Sequence, residues 1–295
     1  MQKRSSLSNL NIQDKRKIQN MRKVRWIVQK NLISENDLDQ ILSACTLLDI
    51  PCEGITVIPF SKELPHFSLD KEYENIYYGS TKFIRNLQKN LGNPLGIFFS
   101  PEAFSMRNSI QQYGKRMLNS EADIMPLEVL VNKYYVSDML HFVRPNDDSK
   151  SFDGRIMTFG EICNWYDDII KVGKIEEITP QTEVVLAPVW GIGEEWRCIV
   201  VKGKVISATL YRQNFRLVET TIPCDVPWSM INFVEDRCRE YTPHDVFVMD
   251  VALSSATGDP HYYILECGCA NSVGFYNLNI LVYVSSLTNY VSFLE

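Results

Sequence analysis

The chain has 295 residues, of which 45% are hydrophobic and 22% charged, and its formal net charge is −6. This balance supports a sizeable core and two or three subdomains, excludes a fibrous or disordered chain, and disfavours general nucleic-acid binding by the acidic body. The charge is uneven: residues 1–30 hold nine Lys/Arg and one acid, Asp14, for +8, which leaves −14 on the rest.

Residues 1–24 read as a basic, polar extension; a nucleic-acid role for it would show as affinity falling steeply with salt. VRWIVQ (from Arg25) predicts a strand, NDLDQILSACTLLDI a helix, and GITVIPF a second strand, together a small α/β unit. ENIYYGS continues it into a helix over TKFIRNLQKN. From YGKRMLN to LEVLVNK the pattern is mostly helical, with a soft boundary near residue 100. HFV is a short strand, TFGEICNWYDDIIKVG a helix and EVVLAPV a strand. EEWRCIVVKGKVISATLYR is a hairpin about Lys202-Gly203, and PWSMINFVEDRCREY an amphipathic helix.

No apolar run reaches membrane-span length, and the start has no apolar signal core. Eight cysteines include no CxxC pair or zinc spacing, so all are expected reduced and the compartment cytoplasmic. A Walker A loop, a GxGxxG after a strand and a nucleophile elbow are all missing.

The stretch with most chemistry is Val246–Tyr276. VFVMDVAL and HYYILECG form a predicted hairpin, each strand carrying one carboxylate in an apolar run. A turn centred on Gly258 sets Asp250 directly opposite Glu266, with Val248 sharing the face of Asp250 and Ile264 that of Glu266. Two facing carboxylates repel, so one must be protonated, or basic groups must neutralise them, or a hard cation must bridge them. Upstream, the loop after HFV offers Arg144, Ser149, Lys150 and Gly154, a set suited to phosphate oxygens. Glu195 and Arg197 share a strand face, with Arg212 ending the partner strand; an ordinary cross-strand ion pair is the plain reading.

Taken in order, FVRPNDDSKSFDG (142–154), APVWGIGEEWRCIVVKGKVISATLYR (187–212), VFVMDVAL (246–253) and ILECGCANSVGFY (264–276) resemble the ATP-grasp superfamily. Within it the chain is similar to the clade named for two arginines and a lysine, over residues 25 to 276. The resemblance implies an ATP-grasp fold of mixed α+β and α/β class: a small pre-ATP-grasp α/β domain over 25–100, then two α+β subdomains, 101–190 and 191–295, with ATP between them.

It further implies phosphate contacts from Arg144, Ser149, Lys150 and Gly154, and adenine against the backbone of Val185, Leu186 and Ala187. Glu195 would lie beside the nucleotide, and Arg197 and Arg212 would contact phosphate or a substrate carboxylate. Asp250 and Glu266 would hold Mg²⁺. Many family members carry Asn two residues after the second metal Glu; here Gly268 stands there, and Asn271 is the nearest substitute.

The expected function is an ATP- and Mg²⁺-dependent carboxylate–amine ligase acting through an acyl phosphate. Its substrates would be small-molecule, peptide or protein-tail carboxylates and amines. The alternative is a catalytically silent ATP-grasp-like binding protein.

Overall fold

Three sheets carry the fold of this computed structural model, which describes residues 21–294 except 59, 60, 62, 68, 69, 134, 149, 174–177, 219–224 and 257. Residues 1–20, and with them most of the basic extension, lie outside the described residues, as does Ser149.

The first sheet is parallel, ordered β2-β1-β3, with β1 Lys23–Gln29, β2 Cys52–Ile55 and β3 Tyr73–Tyr78. Parallel strands are covered on both faces, which explains why WIV (26–28) is apolar without alternation. Helix α1 (Glu35–Leu47) crosses from β1 to β2, capped by Ser34, whose hydroxyl accepts from the Asp37 N–H. Helix α2 (Thr81–Leu91) follows β3 and is capped in the same way by Ser80. Strand β2 stops at Ile55, short of the expected GITVIPF run.

After helix α3 (Met106–Tyr113) the chain departs from the helical expectation. A 3-10 turn (Gly114–Arg116), strand β4 (Asp123–Pro126) and a single helical turn, α4 (Leu127–Leu130), fill the segment. Pro126 disfavours helix in the residue before it, and the DIM triplet finds partners on strand β7 instead.

The second sheet is antiparallel, ordered β4-β7-β5-β6, with β5 Leu140–Pro145, β6 Arg155–Thr158 and β7 Glu183–Pro188. Strand β6, not anticipated, leads into α5 (Phe159–Val172), whose start is a capping box between Thr158 and Glu161.

The third sheet is antiparallel, ordered β10-β9-β8-β11-β12, with β8 Ile192–Val201, β9 Lys204–Gln213, β10 Arg216–Leu217, β11 Val246–Ser254 and β12 His261–Gly268. The β8–β9 turn is Lys202-Gly203, both at positive φ (48° and 73°), the two-residue connection that the sequence pattern predicts. Helix α6 (Trp228–Glu240) packs Met230, Val234 and Cys238 on this sheet.

The first and third sheets share one core, in which Ile27, Tyr77, Phe247 and Met249 belong to the same buried cluster. Helix α7 (Ile280–Ser292) returns to seal a second cluster between Trp26 and Val246, where Tyr283 meets the Trp26 ring edge-on at 5.8 Å. The second sheet keeps a smaller core of its own around Leu130, Phe159 and Ile162. Strand β7 serves both, with Val184 and Leu186 in that core and Val185 in the larger one. No helix among the described residues is long and apolar enough to cross a membrane.

Candidate active site

A cleft of about 730 Å³ lies between the second and third sheets. Its floor is a row of side chains across the third sheet, where Glu266 on β12, Asp250 on β11 and Arg197 on β8 are successive cross-strand partners. The expected Asp250–Glu266 pairing is present, by a route the sequence did not reveal. From Ser254↔His261 to Val251↔Ile264 the hairpin runs one residue out of the register that a turn on Gly258 gives. A bulge at Leu265 takes up that residue and restores the pairing at Asp250. The bulge also corrects the face assignment: Leu265 and Glu266 both line the cleft, whereas Ile264 points into the helix-side core.

The same device recurs on β9. Glu195 pairs with Arg212 and Trp196 with Leu210, so Tyr211 has no counterpart, and Tyr211 and Arg212 both reach the cleft.

Basic groups resolve the carboxylate repulsion. Arg197 donates in bidentate fashion to Asp250, Nε to Oδ1 at 2.9 Å and Nη2 to Oδ2 at 2.7 Å, and its Nη1 donates to the Gly274 carbonyl at 3.2 Å. The guanidinium lies 5.0 and 5.2 Å from the rings of Tyr211 and Tyr276. Arg144 reaches across the cleft to Glu266 at 2.5 Å.

Burial raises the Asp250 pKa despite Arg197. Glu266 is also desolvated, but Arg144, Arg197 and Lys150 together hold it below its ordinary value. Arg197 keeps its charge despite burial, because Asp250 raises its pKa.

The cationic loop is strapped onto the opposite wall. Lys150, at φ 52°, donates to the Ser272 carbonyl at 3.2 Å. Asp148 accepts from the Cys269 N–H at 2.8 Å, and burial pushes its carboxyl up to about 6. Asp148 fills the space left by Gly268, where a Cβ would meet its Oδ2 at 3.2 Å. Gly154 is required by close approach, since a Cβ there would lie 2.8 Å from the Phe142 ring. Glu195 is buried, accepting from the Tyr211 hydroxyl at 2.8 Å and pairing with Arg212 at 3.4 Å.

Arg144, Lys150, Gly154, Glu195, Arg197, Arg212, Asp250 and Glu266 thus converge on one cleft. Two expectations are corrected. Asn271 is fully buried in the fold: its Oδ1 accepts from the Phe98 N–H at 2.5 Å, and its Nδ2 donates to the Tyr77 and Gly96 carbonyls at 2.6 and 2.9 Å. With both amide atoms so engaged, it rivets the first sheet and does not line the cleft. Val185, Leu186 and Ala187 belong to an interior strand and are buried; the cleft wall is formed by the next residues, Pro188, Val189 and Trp190.

Asp148, Tyr211, Tyr276 and Leu265 were missed. No local pattern marked them: Tyr211 and Leu265 reach the cleft through strand bulges, and Asp148 and Tyr276 through tertiary contacts.

A magnesium ion fits this chemistry in part. Two carboxylates face each other, Glu266 has an oxygen beyond its Arg144 contact, and Asp250 retains lone pairs beyond those Arg197 uses. Among the described residues no group of three or more His, Cys, Asp or Glu is arranged to hold a metal.

Residues 127–285 match the family model of an ATP-grasp domain, the second family of the clade named for two arginines and a lysine. No curated protein matches the sequence. Among solved structures, the chain is similar to the D-cycloserine synthetase DcsG, with a TM-score of 0.61, 13% identity and coverage of 91% of this chain and 99% of that one. It is also similar to the ATP-grasp ligase PsnB, solved with a minimal precursor, at TM-score 0.54 and 10% identity over 92% and 99% of the two chains. Phosphoribosylamine–glycine ligase from Thermotoga maritima gives 0.51 and 14% over 83% and 68%.

Proposed function

For a chain that belongs to this second family of the two-arginine, one-lysine clade of ATP-grasp domains, we propose an ATP- and Mg²⁺-dependent ligase that joins a carboxylate to an amine. The observation that carries this is the charge balance of the cleft: five Lys or Arg and six carboxylates line it among the described residues. A nucleoside triphosphate adds further negative charge, so binding it here calls for a counter-cation at Asp250 and Glu266. When bound, that cation would neutralise charge on the transferring phosphoryl group.

The chain's own residues supply positioning. Arg144 and Lys150 would exchange Glu266 and the Ser272 carbonyl for phosphate oxygens. Arg197, clamped between Asp250 and two tyrosine rings, keeps a fixed cation where negative charge develops. A substrate carboxylate oxygen would attack the γ-phosphorus as the bond to ADP breaks. The amine nitrogen would then attack the acyl carbon, lose a proton and release phosphate. No side-chain nucleophile is needed. The three relatives, a synthetase and two ligases, agree in kind.

A specific observation favours a second reading, that of a nucleotide-binding protein without turnover: both carboxylates are already ion-paired and Asn271 is built into the core. The deciding experiment is incubation with Mg-ATP and pools of amino acids and peptides. ADP and phosphate that require an added carboxylate or amine, and vanish in Glu266→Gln, support the ligase. AMP with pyrophosphate overturns the acyl phosphate. Tight ATP binding with no turnover in any pool favours the second reading.

A further inference from the structure

Strand β12 turns a bare position toward the cleft. Past the bulge at Leu265 the alternation is regular: Glu266 lines the cleft, Cys267 is buried in the core, and a side chain on Gly268 would again face the cleft. The space that such a side chain would fill holds the carboxylate of Asp148, from the loop on the opposite wall. A Cβ on Gly268 would lie 3.2 Å from its Oδ2 and 3.7 Å from its Oδ1.

Asp148 is 9% exposed, and its loop is fixed on both sides. Before it, the Asn146 amide donates to Glu183 at 2.8 Å and accepts from the Arg107 N–H at 3.0 Å. After it, Phe152 is buried in the smaller core. The Asp148 Oδ2 is engaged by the Cys269 N–H, whereas Oδ1 takes no donor among the described residues and is not shut away from the cleft.

The Glu266 carboxylate is near enough for the two negative charges to oppose each other, and Lys150 and Arg144 offset them. Those are the two cations that turn to phosphate oxygens in the reading above. Once they do, Asp148 and Glu266 lose their neutralisation together. A buried carboxylate with an open lone pair then requires a new positive charge. Asp250 flanks Glu266 across the strands and Asp148 flanks it along β12, so the three form a corner rather than a ring closed on one point.

We infer that Asp148 stands in for the side chain that position 268 lacks and, with Glu266, gives carboxylate oxygens to the divalent cation that accompanies the nucleotide. This inference rests on the nucleotide-binding reading above. One or two carboxylates completed by phosphate and water oxygens suffice for magnesium.

The test uses the full chain and two measurements. Manganous ion is the probe, its free fraction read by electron paramagnetic resonance in the presence of ADP; ADP affinity is measured separately in EDTA. Asp148→Ser should weaken manganese binding about tenfold. The double variant Asp148→Ser/Gly268→Asp carries the carboxylate on β12 instead. It should recover manganese affinity to within about threefold of the wild type, although the bond to the Cys269 N–H is gone. Asp148→Asn keeps that bond and loses only the charge, and should bind manganese about fivefold more weakly.

An Asp148→Ser variant with wild-type manganese affinity overturns the inference. So does a folded double variant that binds no better than Asp148→Ser, since Asp148 would then matter only as a strap. If neither variant folds, Asp148→Asn with undiminished affinity overturns it alone. Manganese binding lost in Glu266→Gln but kept in Asp148→Ser overturns this inference and leaves the nucleotide reading intact. A wild type that binds ADP in neither measurement removes both.

Discussion

The two walls of the cleft are held together by different physics. The third sheet shares a continuous apolar core with the first sheet and helix α7, so its contribution to the site is anchored by buried hydrocarbon. The second sheet has a much smaller core and meets the opposite wall through polar contacts: Arg144 to Glu266, Asp148 to the Cys269 N–H and Lys150 to the Ser272 carbonyl. Its apolar tie to the body includes Val185, on the reverse face of β7. The lesson is a division of labour. The carboxylate row is rigid because it is one row of a packed sheet, while the cationic loop is attached by bonds that phosphate oxygens can replace.

Breaking the body should have the largest effect. Phe247→Ala, which empties a fully buried site in the shared core, should cost about 3–5 kcal/mol in urea unfolding. Ile162→Ala, in the smaller core, should cost about 2–4 kcal/mol. In that variant hydrogen exchange should accelerate across residues 140–188 while β1, β8 and β11 keep their protection. Uniform loss of protection would show that the two walls unfold as one unit.

Next in size is Asp250→Asn, which leaves Arg197 buried opposite a neutral group. A loss of about 3 kcal/mol is expected, read as a lower urea midpoint at unchanged slope.

Asp148 sharpens the contrast through pH. Its carboxyl titrates at about 6 in the fold against an ordinary 3.8. A raised acid contributes stability that is complete below the ordinary value and lost as pH climbs through the folded one. Asp148→Asn cannot ionise, so it should be more stable than the wild type by about 2–3 kcal/mol near pH 7, with the gap closing as pH falls below the ordinary carboxyl value. Equal profiles for the two proteins would show that the charge on Asp148 is not a strain on the strap.

At the small end, Lys23→Ala should leave the urea midpoint unchanged, because its ion pair with Glu72 is solvent-exposed on both sides.

Much of the fold was legible because it is written in local patterns. The two hairpins of the third sheet, the capping box at Thr158 and Glu161, and the buried parallel strand β1 follow from spacing and residue type. The charged residues of the site were also legible, since a carboxylate or arginine inside an apolar strand needs an explanation. Position within a sheet was not. EVVLAP reads equally well as a cleft-facing strand or an interior one, and only pairing with β4 and β5 shows that its backbone is already engaged. Asn271 misled through nearness in sequence to Glu266, because the chain turns inward after β12. Asp148 beside Gly268 depends on loops meeting across the fold, and no periodicity encodes that.

The extra residues in β9 and β12 have a consequence beyond register. A regular strand sends neighbours to opposite faces, so two groups serving one ligand must stand two positions apart, about 6.5 Å. By carrying Tyr211 beside Arg212 and Leu265 beside Glu266, each strand places a ring or hydrocarbon and a charge within one step on the same side. The sheet thereby becomes a ruler with a halved graduation. Deleting Leu265 would leave Asp250 facing Glu266 while removing the apolar mark next to it.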